Sequence, residues 1–506
     1  MVAWAVAAGV AGILITILWI KLSVKRTRLQ KQFFSENVHH IDSFEHVLRI
    51  AHDVNGLLIV ARAVVLSSKK PIKASVVKNA MILLTKRHPM LRMCIRKDQD
   101  GVFCFQEMDK VDFRQLGTRD WRNVMEESLL EKFDAENGPL WRLIFLPNAR
   151  YKPGTEIRDT TSYPNECICI FGFHHLITDG PSLTRMFAEF INYVERLTNN
   201  EEPEVSSMSL LPSCHVYLHE AVGSKWYHCL MTAALSIFSS PPCFPVFMMG
   251  VVFGMSRKGN VFTKKYGIEV QRNPEIQPRT KIIPLEFSKK DTSSLLQKCK
   301  EHQTTVQGAI QAAGGVAMAT LLDENEFEIE CAITVNARPF FKSRVPNEYA
   351  RPYLGFISCK NSFIRSPDIV KFWCMAKSIS NDIHAKLKKN EHMKSALMFD
   401  YMAPMLSRLF KSTNKDDEHG GRSNNLIVYN NLGNCKFLHG SPDDDVIIRA
   451  SFGCTAEHQQ GSIFANSIIT FNDQLFWTVV YYSNITSETM AQRYAGLIKE
   501  TILKAI

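Results

Sequence analysis

Long apolar runs and amphipathic stretches alternate along this chain, and each kind predicts a different element. Val2 to Ile20 holds 19 residues without a charge, about 28 Å as a helix at roughly 1.5 Å per residue, which predicts a membrane-spanning anchor. Ala74 to Arg87 carries apolar residues at helical spacing and stops before His88-Pro89, where proline disfavours continuation. Cys167 to Phe173 is a short β-branched and aromatic run, a buried strand. Ser182 to Leu197 is a helix opened by Asp179-Gly180-Pro181. Farther on, Thr305 to Leu322 is a small-residue helix, and Glu330–Val335 and Asn425–Tyr429 are strands. Ser467–Phe471 and Leu475–Tyr482 form a hairpin around Asn472-Asp473, and a closing helix starts near Ser487. The polar segment Lys411 to Asn424 reads as a loop.

A second stretch, Trp226 to Ser256, has no Asp, Glu, Lys or Arg and is broken by Pro241, Pro242 and Pro245. Two short helices joined by a proline bend would dip into one leaflet; a buried core helix and loop is the competing reading. The expected organisation is an anchor (1–24), a first lobe (25–220), an apolar membrane-associated crossover (221–275) and a second lobe (276–506).

Charge sharpens the picture of the anchor. Of the net +10, five cations (Lys21, Lys25, Arg26, Arg28, Lys31) follow the first apolar run, and residues 1–35 contain no acid. Cations after an uncharged run, with none before it, fit a retained anchor with the remainder cytosolic, on the endoplasmic reticulum membrane. The remaining positive charge is spread thinly, so a nucleic-acid partner is not expected. The 13 cysteines are scattered, with no Cys-x-x-Cys and no zinc-type Cys/His spacing. They read as buried small hydrophobes, and no metal is expected.

Candidate chemistry concentrates at Phe171-Gly-Phe-His174-His175-Leu-Ile-Thr-Asp179-Gly180, where the strand ends. Adjacent strand residues face opposite ways, so only one of the two histidines can enter a given cleft. An unperturbed imidazole is mostly neutral near neutral pH and can accept a proton, which suits general-base work. Other catalytic signatures are missing: no Gly-x-Ser-x-Gly elbow, no phosphate-binding loop, no Gly-x-Gly-x-x-Gly after a strand, no His-Glu-x-x-His.

The pattern His-His-x-x-x-Asp-Gly resembles the signature of the CoA-dependent acyltransferase superfamily, which includes chloramphenicol acetyltransferase, alcohol acetyltransferases and condensation domains. Four further segments resemble that family in the same order: Leu84 to Arg92, Phe133 to Arg142, Val335-Asn336-Ala-Arg338-Pro339, and the ending from Ala465 to Ile506. The resemblance implies a two-lobed α/β, chloramphenicol acetyltransferase-like fold with a tunnel between the lobes, here behind an N-terminal transmembrane helix. It implies acyl-CoA as co-substrate, no permanently bound cofactor, and direct attack of an alcohol or amine on the thioester. His175 and Asp179 are then the candidate catalytic pair: His175 takes the proton, and Asp179 acts by pairing with Arg338 of the other lobe to shape the loop. His174 and Gly180 become supporting residues, Gly180 permitting a tight turn. Asn430-Asn431-Leu432-Gly433 resembles the family's Ser-Asn-x-Gly element with asparagine in place of serine, which marks Asn430, Asn431 and Gly433 as candidate substrate contacts, with a turn-forming role the alternative. The expected function is O-acyl transfer to a lipophilic alcohol by a monomer at the bilayer. N-acylation of an amine and a non-catalytic, membrane-tethered acyl-CoA or lipid-binding protein are the alternatives.

Overall fold

The computed structural model describes residues 39–151, 162–223, 262, 265–266, 279–412, 426–441, 443–457, 462–483 and 485–506. The expected anchor at Val2–Ile20, the stretch Trp226–Ser256 and nearly all of the Lys411–Asn424 loop lie outside those residues. Among the described residues no single helix is long and apolar enough to cross a membrane. One bent pair, Lys289–Glu301 with Val306–Leu322, passes by length and composition, but its second helix is almost wholly buried in the core.

In chain order the first half runs β1 (His39–His40), α1 (Ser43–Asn55), β2 (Ile59–Ser68), α2 (Ala74–Arg87), β3 (Met93–Lys97), β4 (Phe103–Glu107), β5 (Phe113–Gln115), α3 (Trp121–Ser128), β6 (Trp141–Leu146), β7 (Asn165–His174), α4 (Gly180–Thr198) and α5 (Cys214–Val222). The second half runs β8 (Thr280–Glu286), α6 (Lys289–Glu301), α7 (Val306–Leu322), β9 (Glu326–Asn336), β10 (Leu354–Ile364), α8 (Ile369–Lys388), α9 (Glu391–Ser412), β11 (Leu426–Asn434), β12 (Val446–Thr455), β13 (Phe464–Phe471), β14 (Gln474–Tyr482) and α10 (Glu488–Ala505). The mixed α/β expectation holds, and α2 spans the expected residues.

Two large sheets carry the core. The first has the order β12-β2-β7-β6-β5, with β7 inside it, antiparallel to β2 (Ile59 opposite His174) and to β6 (Trp141 opposite Phe173). Both faces of β7 are covered, which is why Cys167–His174 reads as a continuous apolar run and not as an alternation. On one face Phe171 and Phe173 stack at 6.2 Å, and Phe171 meets Phe187 and Phe190 of α4; on the other, Gly172 backs onto Arg142.

The second sheet has the order β10-β9-β11-β13-β14-β8, with β11 parallel to both β9 and β13. The expected hairpin is present: Phe471 pairs with Gln474, and Asn472 and Asp473 both take positive φ, the backbone of a two-residue turn. The small residues of α7 let it lie close on this sheet. A Cβ on Gly315 would fall 2.1 Å from the Phe363 ring.

One strand departs from the expected lobe division. β12 follows β11 in the chain, yet it pairs with β2 at the edge of the first sheet, Cys454 opposite Ala61 and Phe452 opposite Ala63. The second lobe therefore reaches across and completes the first, so the boundary near residue 276 divides the chain but not the sheets. Among the described residues the cysteines are free thiols.

Candidate active site

His175 stands where β7 gives way to a turn. Its backbone N–H still donates to Leu58 O at 2.9 Å, continuing the ladder to β2, and Ile177 N closes the turn onto His174 O at 3.0 Å. The His175 ring is half-buried, with Nδ1 2.9 Å from Thr178 O. A carbonyl only accepts, so this contact requires the proton on Nδ1 and leaves the lone pair on Nε2. The tautomer needed for a general base is thus set by the backbone of the motif itself.

His174 points the other way and is fully buried. Its Nδ1 accepts from Leu176 N at 3.1 Å, and its ring centroid lies 4.3 Å from that of His52. Burial, with help from the neighbouring His52 and His175, pushes the His174 pKa well below the ordinary imidazole value. His52 donates from Nδ1 to Leu57 O and accepts at Nε2 from Phe133 N, each 2.9 Å, and burial lowers its pKa to about 4. His174 and His52 therefore form a neutral imidazole pair behind the strand end.

That pair makes stability depend on pH. In the unfolded chain a histidine titrates near 6.5, whereas folded His52 titrates near 4. Between those values the unfolded state binds a proton that the folded state does not, so stability is full above pH 6.5 and declines as pH falls towards 4. Unfolding by urea at pH 7 and pH 4.5 should differ by about 2 kcal/mol or more on account of His52 alone. In His52→Gln that difference should shrink by a similar amount, and an unchanged pH dependence would refute the assignment.

Asp179 is the N-cap of α4. Its Oδ1 accepts from Ser182 N at 3.0 Å and from Ser182 Oγ at 2.7 Å, a capping box that the sequence Asp-Gly-Pro-Ser encodes. The same carboxylate meets Arg338 in a bidentate pair, Nη1 to Oδ2 at 2.7 Å and Nη2 to Oδ1 at 3.2 Å, and Tyr353 N donates to Oδ2 at 2.9 Å. With its acceptor positions taken, Asp179 is not the partner of the His175 ring; Thr178 O is. Asp179 is a positioning residue that ties the motif loop to the end of β9 in the second sheet.

Gly180 opens α4 without a positive φ, so conformational freedom for a turn is not what it supplies. A Cβ there would fall 2.4 Å from Leu432 Cδ2, so the motif and β11 approach closely and the Leu432 side chain would have to turn aside for it. Gly180→Ala should cost about 1–3 kcal/mol through overpacking. Adding Leu432→Ala should restore part of it, read as a midpoint in chemical denaturation; additive losses would exclude the clash.

The candidate substrate contacts are engaged with protein. Thr334 Oγ1 donates to Asn430 Oδ1. Asn431 Nδ2 donates to Gln307 Oε1 at 3.2 Å, its Oδ1 accepts from Gly433 N at 2.9 Å, and Gly433 has φ +72° at a bulge in β11. These contacts support the turn-forming alternative, and the Gly180–Leu432 approach brings this turn against the motif.

Sequence reasoning missed His52, the buried Glu45–Arg351 pair (2.6 Å) and Tyr353. The only local signal was the Asp42-x-x-Glu45 capping box of α1. A cavity of about 520 Å³ lies between α3 and β8, lined by Trp121, Arg150, Glu286 and Lys499 among others, and touches none of the candidate residues.

Residues 59–210 match the model of the condensation domain family, a segment that begins with β2 and contains the whole motif. Polyketide synthase PksN of Bacillus subtilis (strain 168) is 25% identical over 140 residues, 26% of this chain, and the chain spans 2% of the length of that curated relative. Among solved structures, the trichothecene 15-O-acetyltransferase from Fusarium sporotrichioides aligns with a TM-score of 0.64 at 12% identity, covering 92% of this chain and 95% of that one. Polyketide synthase associated protein 5 from Mycobacterium tuberculosis gives 0.58 at 14%, covering 91% and 98%. The first condensation domain of the calcium-dependent antibiotic synthetase gives 0.59 at 10%, covering 92% and 97%. At these identities the likeness is one of fold. It extends over both halves of the chain, whereas the family match is confined to the segment that carries the motif.

Proposed function

We propose that this chain, condensation-domain-like through its motif and acetyltransferase-like in fold, transfers an acyl group from acyl-CoA to the hydroxyl of a lipophilic alcohol. The observation that carries the proposal is the His175 ring, held by Nδ1 on Thr178 O with the Nε2 lone pair left over. Nε2 takes the hydroxyl proton as the oxygen attacks the thioester carbonyl. Collapse of the tetrahedral intermediate forms the ester and breaks the C–S bond, and the thiolate of CoA leaves with the proton returned from Nε2. No protein nucleophile is needed, in keeping with the absence of a Gly-x-Ser-x-Gly elbow. No permanently bound cofactor enters the scheme.

A hydroxyl acceptor draws support from the named activity of the trichothecene 15-O-acetyltransferase. A lipophilic acceptor draws support from the uncharged stretches Val2–Ile20 and Trp226–Ser256, which would hold the enzyme, as a monomer facing the cytosol, at the membrane where such an alcohol partitions. The condensation family match favours a second reading, transfer to an amine, since the same lone pair serves either nucleophile.

The test is release of free CoA thiol from acetyl- to oleoyl-CoA, with long-chain alcohols, sterols, acylglycerols and amines offered in turn. Turnover with alcohols supports the proposal, and turnover with amines alone transfers it to the second reading. Acyl-CoA binding without turnover on any acceptor would leave a membrane-tethered binding protein.

A further inference from the structure

Away from the motif, two imidazoles and a buried carboxylate converge where α5 and α9 meet. His215 and His219 lie four positions apart on α5, so both rings leave the same helix face; their centroids are 4.2 Å apart. Asp400 of α9 comes up to them, its Oδ2 2.8 Å from His215 Nδ1 and 3.9 Å from His219 Nε2, and one ligand atom from each of the three residues lies within 4.8 Å of the others. Asp400 is 7% exposed, and its Oδ1 is buried without a hydrogen-bond donor. Such an oxygen beside two imidazoles is costly as it stands, because a buried acceptor without a donor has lost its water for nothing.

We propose that His215, His219 and Asp400 bind a divalent cation of the zinc class. Imidazole and carboxylate ligands suit Zn²⁺. In a tetrahedron with metal–ligand distances of 2.0–2.1 Å, the ligand atoms sit about 3.3 Å apart, so small side-chain rotations convert the observed spacing into a coordination shell. Two neutral imidazoles and one carboxylate supply three of the four tetrahedral positions and leave the fourth to a water molecule. It would join two distant segments, α5 and α9, near the Asp179–Arg338 pair. Tyr217, between the two histidines on α5, stacks on Phe341 at 5.2 Å and meets the ring of Tyr353, whose N–H holds Asp179. The cation would thus clamp α5 against one wall of the joint between the sheets. This revises the expectation of no metal: the His-x-x-x-His spacing is visible in the sequence, but Asp400 lies 181 positions beyond His219 and only the fold brings it there.

The experiment uses the full chain, purified without a histidine tag, stripped with a chelator and reloaded with Zn²⁺ or Co²⁺. Elemental analysis should find about one zinc per wild-type chain and less than a tenth of that in His219→Gln and Asp400→Asn. Zinc should raise the wild-type melting temperature by about 2 °C or more and leave the variants unmoved. Wild-type protein with Co²⁺ should show tetrahedral ligand-field absorption without a sulfur charge-transfer band, a readout that stands even if a variant fails to fold. No retained metal would leave a simple imidazole–carboxylate ion pair and overturn the proposal. A cobalt–thiolate band would place the metal on cysteines and overturn it equally.

Discussion

Replacing His175 by alanine should lower kcat and kcat/KM together by two or more orders of magnitude, with KM little changed. A general base contributes only as the proton moves, so its loss falls on the transition state and not on ground-state binding. Among the described residues no nearby group stands ready to replace it. The Asp179 carboxylate is occupied by Ser182, Tyr353 and Arg338, and His174 is buried, turned to the opposite face and held neutral. The fold should tolerate the change, because the His175 ring is half-buried and its Nδ1 bonds a single carbonyl, a loss of about 1 kcal/mol. Steady-state thiol release and a denaturation curve on the same preparation give both quantities. Full activity in the variant would remove His175 from the mechanism, and so would a loss of rate that merely tracks a loss of structure.

What could be read ahead of the structure follows a physical divide. Local patterns were legible: the period of α2, the apolar run of β7, the small residues of α7 and the Asn472-Asp473 turn each place their information within a few residues. The split of His174 and His175 onto opposite sides followed from the pleat of a strand. What depends on distant segments was not legible. β12 resembles other apolar strands, and nothing local says that it crosses to pair with β2 instead of joining the sheet of its chain neighbours β11 and β13. Arg338 was assigned to Asp179 through the family resemblance alone; 159 residues separate the two, and no local pattern links them. Gly180 shows the same divide at one position. Its place after the motif aspartate suggested a turn, whereas the neighbour that a side chain there would meet is Leu432, from the other sheet.

Arg338→Met should destabilise the protein by about 3–5 kcal/mol, the largest stability effect expected of a change near the site, because it leaves a buried carboxylate without its counter-charge. Both side chains of the pair are 2% exposed. The guanidinium also donates to Pro346 O, Tyr349 O and Arg351 O at 3.0–3.2 Å, so three carbonyls lose a donor along with Asp179. Arg338→Lys should fare only modestly better, since one ammonium cannot reproduce two parallel bonds to the carboxylate while serving those carbonyls. Asp179→Asn keeps the volume and the α4 cap but strands the arginine. The double variant Asp179→Asn/Arg338→Met should lose less than the two single losses added together, by a coupling of about 1–3 kcal/mol, because neither charge is then left alone. Activity should fall in these variants too, since the pair fixes the loop from which His175 projects, but it should fall together with the melting temperature. His175→Ala and Arg338→Met thus separate chemistry from positioning: the first loses rate at nearly constant stability, the second loses both. Strict additivity in the double variant would mean that Asp179 and Arg338 each serve their own sheet and do not join the two.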